Sequence, residues 1–226
     1  IVAFVNSGQV TMEASRTITT GVGKLGGATA SFVGQTTTTL AASVVAGNII
    51  YVKGSGQTWN EAVVLSVAGG AGIPIITEGY NATRGDRPTG STRPTNARAA
   101  AAGVGISITA ARNIVRNVIV SGAGTVGLSD GATVTEFIDV RATGNGTIGI
   151  LLSGGGHCVG CESDLNATTG ISLAGDNNLV VYSYIHNNTG VGILATTANA
   201  AVIVGNIIAA NGSHGISYTT TNQNMI

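Results

Sequence analysis

The chain has 226 residues, 35 of them glycine, and its 10 Lys and Arg balance 10 Asp and Glu to a formal net charge of zero. Only 9% of residues are charged and 43% are hydrophobic, so no charge excess draws the chain to nucleic acid or to an anionic membrane. No apolar run reaches the roughly 18 residues of a membrane-spanning helix, so no membrane insertion is expected, and the length suits one domain with at most a small appendage.

The chain begins at Ile1, without Met or a basic and apolar leader, which points to processing or to a partial chain. Residues 1–45 hold alternating fragments, Val2 and Phe4, then Val10 and Met12, followed by a Gly and Thr-rich stretch from Gly21 to Thr39. No amphipathic helix is visible there. The region is assigned to an N-terminal cap or attachment segment, because the open end of a stack exposes apolar surface and unpaired strand edges.

The regular part begins at Ala46 and extends over residues 46–226. Its opening phrases are Ala46-Gly47-Asn48-Ile49-Ile50-Tyr51-Val52, then Trp59-Asn60-Glu61-Ala62-Val63-Val64-Leu65, then Gly72-Ile73-Pro74-Ile75-Ile76 leading to Gly79-Tyr80. Residues 81–103 interrupt them with Pro88, Pro94, Arg84, Arg87, Arg93 and Arg98. A long polar interruption between regular elements reads as a corner insertion, the kind of loop that carries function more often than a scaffold does.

From Val104 a short phrase recurs: an apolar residue, Thr or His, then Gly, then Ile or Leu. Its glycines are Gly105, Gly127, Gly149, Gly170, Gly192 and Gly215, at intervals of 22, 22, 21, 22 and 23 residues. Such a period marks a stacked array in which no unit buries its apolar face alone. Short β-branched runs broken by Gly, Asn, Ser and Thr favour strand over helix. Alternation around each glycine puts Val104, Ile106 and Ile108, then Val126 and Leu128, then Ile148, Ile150 and Leu152 on an inner face. A second apolar position follows ten residues later, at Val115, Phe137, Val159, Val180 and Val202. At ~3.3 Å per residue each unit traces about 70 Å, enough for one coil with three short sides, stacked ~4.8 Å above the last in parallel register. The expected fold is all-β: a single right-handed parallel β-helix with coils of about 22 residues. The array stops partway into a coil at Ile226, leaving Ile216, Tyr218 and Met225 to be covered by missing residues or by another chain.

From Ala46 onward the chain resembles the pectin-lyase-like β-helix superfamily, and is nearest in character to phage and bacterial-surface β-helix repeat proteins. The opening phrases carry that resemblance, with Trp59 near the usual aromatic and Glu61 at the acidic position. It implies the fold and no catalytic residue, because the same phrases occur in enzymes, adhesins and phage structural proteins.

Polysaccharide-cleaving β-helices use carboxylates on adjacent coils, which stacking brings to about 5 Å, or calcium with a basic residue. Asp139, Glu162 and Asp164 fall in the corresponding third of successive coils, with Arg141 beside them and His186 one register after Asp164. These five are the candidate catalytic set, in a shallow groove, against chance clustering of scattered carboxylates. Asn211 to Ser217 faintly resembles the Gly-His-Gly segment of polygalacturonases, but that family's Asn-Thr-Asp, Asp-Asp and Arg-Ile-Lys motifs are absent and His214 sits where other coils have Val or Thr. His157-Cys158-Val159-Gly160-Cys161 lacks a second Cys pair for a structural zinc site. Buried thiols come first for it, a local disulfide second and metal last, and no metal or other cofactor is expected.

Arg84-Gly85-Asp86 spells an integrin-binding tripeptide that a plain turn explains equally. Asn81, Asn145, Asn166, Asn187 and Asn211 fit the glycosylation pattern, yet four share a corner of successive coils, where stacked Asn side chains satisfy backbone groups. The six recurring glycines, if the Val and Ile row points inward, form a flat outer strip flanked by Thr and Ser, a candidate interface with another subunit. The functional expectation is a non-enzymatic structural or adhesive protein of a virion or an extracellular filament. Its partners would be another copy, another structural protein or a cell-surface glycan. The rival is a secreted polysaccharide lyase or hydrolase.

Overall fold

The computed structural model describes residues 2–6, 9–12, 29–32, 44–54, 58–60, 62–98 and 103–219. Glu61, Met225 and residues 99–102 lie outside them. Three parallel sheets of 8, 7 and 7 strands wrap one interior. In one coil Thr135–Ile138 lies in the first sheet, Arg141–Thr143 in the second and Ile148–Leu152 in the third. The next coil supplies Gly156–Val159, Glu162–Asp164 and Thr169–Leu173, each in register with its equivalent below. The only regular helix among the described residues is a short 3-10 turn at Gly90–Thr92.

The first sheet starts earlier than residue 46, because Thr29–Phe32 pairs in parallel with Ile49–Lys53. Before it, the fragments expected as strands are strands: Val2–Asn6 pairs antiparallel with Gln9–Met12. The interruption after Tyr80 is also narrower than expected, since Thr95–Ala97 is a regular strand of the second sheet paired with Ile119–Ser121.

The interior is a set of columns. Val115, Phe137, Cys158, Val180 and Ile203 stand above one another in the first sheet, and Leu128, Ile150, Ile171 and Ile193 do so in the third, all buried. The expected column of second apolar positions therefore slips at two places. Val159 and Val202 face outward, and Cys158 and Ile203 take the inner positions, because coil lengths vary by a residue and a one-residue shift reverses a side chain. Likewise Val126, Ile148 and Val191 are only half-buried, while the glycine and the Leu or Ile that follow each of them are buried.

This orientation corrects the reading of the glycine strip. Gly105, Gly127, Gly149, Gly170 and Gly192 are buried, and only Gly215 is exposed. A Cβ at Gly127 would stand 2.6 Å from Asn145 Nδ2, one at Gly149 the same distance from Asn166 Nδ2, and one at Gly170 2.7 Å from Asn188 Nδ2. The column is glycine because an asparagine ladder occupies the volume a side chain would need.

That ladder closes the corner between the second and third sheets. Asn145 Nδ2 donates to Asn166 Oδ1 at 2.9 Å, Asn166 Nδ2 to Asn188 Oδ1 at 2.8 Å, and Asn188 Nδ2 to Asn211 Oδ1 at 2.9 Å. Each acceptor also takes the backbone N–H of the asparagine below it. Buried amides in such a chain are fully paired, which is what makes them tolerable. Stacked asparagines were the expected device, but the third rung is Asn188; Asn187 lies on the surface with φ of 52°.

Each corner also turns through left-handed backbone. Between the first and second sheets the residues are Asn117, Asp139, Gly160, Tyr182 and Gly205, and after the second they are Gly122, Gly144, Leu165, Asn187 and Ala210. Leu165 and Tyr182 adopt this conformation against their preference and are exposed.

Candidate functional site

The polar cluster lies on the outer face of the second sheet. Arg141, Glu162 and Tyr184 form one column, and Thr143, Asp164 and His186 the next. Between them Ala142, Ser163 and Ile185 point into the core, so alternation along three short strands delivers the outward set.

Arg141 reaches diagonally to the coil above. Its Nε donates to Asp164 Oδ1 at 2.9 Å and its Nη2 to Oδ2 at 2.8 Å, and Thr143 Oγ1 adds a third bond to Oδ2 at 3.1 Å. Asp164 is thereby only 1% exposed. The hydrogen bonds to Asp164 push the Arg141 guanidinium above its ordinary value, helped by the charges of Asp164 and Glu162 and opposed by burial. Glu162 Oε1 lies 3.5 Å from Arg141 Nε and 3.3 Å from His186 Nε2. Asn187 Nδ2 stands 3.0 Å from His186 Nδ1. An amide nitrogen can only donate there, so the network assigns the ring proton to Nε2, directed at Glu162. Tyr184 stacks on the imidazole with centroids 3.8 Å apart.

Four of the five expected residues therefore meet: Arg141, Glu162, Asp164 and His186. Asp139 does not join them. It occupies the preceding corner with φ of 50°, its carboxylate against Gly160. Thr143, Tyr184 and Asn187 complete the network and were passed over, although Thr143 and Tyr184 each lie two residues from a chosen one on the same strand face.

Glu162, Asp164 and His186 present possible ligand atoms within 4.8 Å of one another. The guanidinium of Arg141 holds both oxygens of Asp164, however, so an ion would have to displace a cation already seated there. The arrangement does not fit a metal. Nor does Asp164 suit acid or base work, since both its oxygens are bound by donors and it is closed from solvent. Glu162 and His186, half-buried, keep more freedom.

The remaining motifs resolve structurally. Asp86 accepts hydrogen bonds from the backbone N–H groups of Asn81, Ala82 and Thr83, and these hold its carboxyl below the usual value despite the opposing effect of burial. The tripeptide acid is thus folded back into its own loop, while Arg84 lies over the ring of Tyr51 at 5.2 Å. Cys158 and Cys161 are free and buried, and burial first, then contact with Cys161, pushes the Cys158 thiol well up. Asn145 and Asn166 are buried in the ladder and closed to glycosylation. His214 is exposed, beside Ser213 Oγ at 2.8 Å.

A family model described as a right-handed β-helix region matches residues 43–226. The chain belongs to the right-handed β-helix family. Among solved structures, pectate lyase Pel9A superposes with a TM-score of 0.55 at 12% identity, covering 81% of this chain and 56% of that one. Tailspike protein 2 of bacteriophage CBA120 gives 0.44 at 13% identity, covering 78% of this chain and 35% of that one. An alginate lyase from Paenibacillus sp. gives 0.40 at 11% identity, covering 82% and 95%. No curated protein matches the β-helix in sequence. The chain spans little more than half of the pectate lyase, and the likeness establishes fold alone. Among the described residues no helix is long and apolar enough to cross a membrane.

Proposed function

We propose that this β-helix is a non-enzymatic structural or adhesive component of a virion surface or an extracellular filament. The observation that carries this reading is the state of Asp164, which is buried and bound through both oxygens by Arg141 and Thr143. A carboxylate so committed is part of the wall. Glycoside hydrolysis needs one acid free to protonate the leaving group and a second group free to act from the other face. Balanced, sparse charge and a Thr, Ser and Asn surface fit an extracellular or virion-exposed setting. Another copy, another structural protein or a cell-surface glycan are the partners this role calls for.

The rival is a secreted polysaccharide lyase or hydrolase, favoured by Glu162 and His186, which face each other at 3.3 Å with Glu162 one-third exposed. Incubation with a panel of acidic and neutral polysaccharides decides between them. No new reducing or unsaturated ends are expected. Cleavage that disappears in Glu162→Gln would establish the enzyme and end the structural reading.

A further inference from the structure

The chain has two cysteines, and the fold places both in one coil. Cys158 is an inward residue of the strand Gly156–Val159, and Cys161 turns inward at the corner just before Glu162–Asp164. Between them Gly160 takes a φ of 63°, which carries the chain around the corner and aims both side chains into the same part of the interior. The coil below has Phe137 and Val140 at these two positions, and the coil above has Val180 and Ser183. This coil alone fills both with sulfur.

The contacts of Cys161 Sγ show where it lies. It donates to Phe137 O at 3.2 Å and stands 3.7 Å from Val159 O. Phe137 is the register partner of Cys158 on the strand below, and Val159 is its chain neighbour. The Cys161 sulfur therefore rests against the backbone on both sides of Cys158, and the two thiols share a hydrogen bond. Cys158 is 0% exposed and Cys161 1%. Once the coil is closed, neither sulfur can meet any sulfur but the other.

We propose that Cys158 and Cys161 are a disulfide site, oxidised while the chain is still open and sealed when the coil closes over it. The oxidant is a disulfide, of low molecular weight or on a protein, of the kind that oxidising compartments supply. The thiolate of one cysteine attacks a sulfur of that disulfide and expels the first thiolate. The other cysteine then attacks the protein sulfur of the mixed disulfide and expels the second. The oxidant's S–S bond breaks, the Cys158–Cys161 bond forms, and the two protons the cysteines lose end on the two expelled thiols. Two electrons pass from the chain to the oxidant. In the closed coil the step stops at its first requirement. Attack needs a thiolate in contact with the oxidant, whereas both sulfurs are shut from solvent and burial holds the proton on Cys158. The finished protein keeps the redox state in which it folded, and a chain folded in an oxidising compartment carries no thiol left to react. This holds whether the second sheet binds a glycan, cleaves one or does neither.

Refolding of the whole chain tests it. Reduced chain in urea is diluted into mixed reduced and oxidised glutathione, or into dithiothreitol, then unfolded again, treated with iodoacetamide and weighed. The glutathione sample should be lighter than the reduced chain by two hydrogens and take no alkyl group, and the dithiothreitol sample should take two. Each native form, moved into the other's buffer, should convert at least ~100-fold more slowly than it does in urea. Two alkyl groups after oxidative refolding, glutathione retained on either cysteine, or chains joined to one another overturns the disulfide site. Native conversion as fast as that in urea overturns the sealing. Should the chain refold poorly from urea, export to an oxidising periplasm and synthesis in a reducing cytosol give the same comparison without refolding: the exported chain carries the bond, and two free thiols in it overturn the proposal.

Discussion

Two polar groups climb this solenoid side by side, and they differ in what lies around them. The asparagine ladder from Asn145 to Asn211 runs inside the corner of the coil, each amide bonded to the next at 2.8 to 2.9 Å. The network of Arg141, Glu162, Asp164 and His186 lies a few residues away on the outer face of the second sheet, with Arg141 and Glu162 each one-third exposed. Spacing of about 22 residues builds both. Apart from Asp164, which is as buried as the ladder, burial separates them: in the interior an unmade hydrogen bond has no water to replace it, whereas solvent softens a loss at Arg141 or Glu162. The ladder is therefore a condition of folding, and the network an adjustable feature of a finished wall.

The largest effect that sharpens this contrast is steric. Gly149→Leu would drive its side chain into Ser163 Oγ and Asn166 Nδ2, so the coil closes only by breaking the ladder. A loss of about 4 kcal/mol or more is expected, read as a collapsed midpoint in urea. A variant that unfolds with the wild type would mean the glycine column faces outward after all.

Next come the groups themselves. Asn166→Ala strips Asn145 of its acceptor and Asn188 of its donor and should cost roughly 3 kcal/mol. At the surface, a double-mutant cycle of Arg141→Met with Asp164→Asn should return a coupling of only ~1 to 2 kcal/mol, since Arg141 is partly solvated. Denaturation of the four proteins of the cycle and of Asn166→Ala compares the two. If the surface coupling matches the loss at Asn166, burial is not what distinguishes the groups.

The period, the strand sheets and the stacking were all legible in the sequence because they repeat, and a repeat reveals itself by subtraction. What repetition conceals is phase. Val159 and Val202 stand ten residues after their glycines as faithfully as Val115 does, yet they face outward, because one residue gained or lost at a corner reverses every side chain until the next corner. The same blindness chose Asn187 over Asn188 and faced the glycines outward. The cluster on the second sheet survived because Arg141, Glu162 and His186 keep one phase through three coils. Asp139, two residues earlier, was lost to the left-handed corner that precedes the strand. Tyr184 was legible by period two and was missed because its chemistry was not sought.

The smallest effect concerns a carboxyl that belongs to neither group but obeys the rule of the first. Asp130 is fully buried; its Oδ1 accepts from Ala132 N–H at 2.9 Å, while its Oδ2 has no partner. Burial pushes its carboxyl above the ordinary value of 3.8, against the hydrogen bonds that pull it down. The folded chain therefore holds this proton at pH values where the unfolded chain has released it. Stability contributed by the protonated form is full below the unfolded value, falls as pH rises toward the folded value, and stays low above it. Asp130→Asn keeps the Oδ1 acceptor for Ala132 N–H and removes the charge that burial penalises. The variant should be more stable than wild type by about 1 kcal/mol at pH 7, with the gap narrowing as the medium is made acid. Melting both proteins from acid to neutral pH reads the crossing directly. An advantage that grows toward low pH would mean Asp130 is held as the anion, so the interior beside Gly156 would have to be more polar than its columns of Leu and Ile allow.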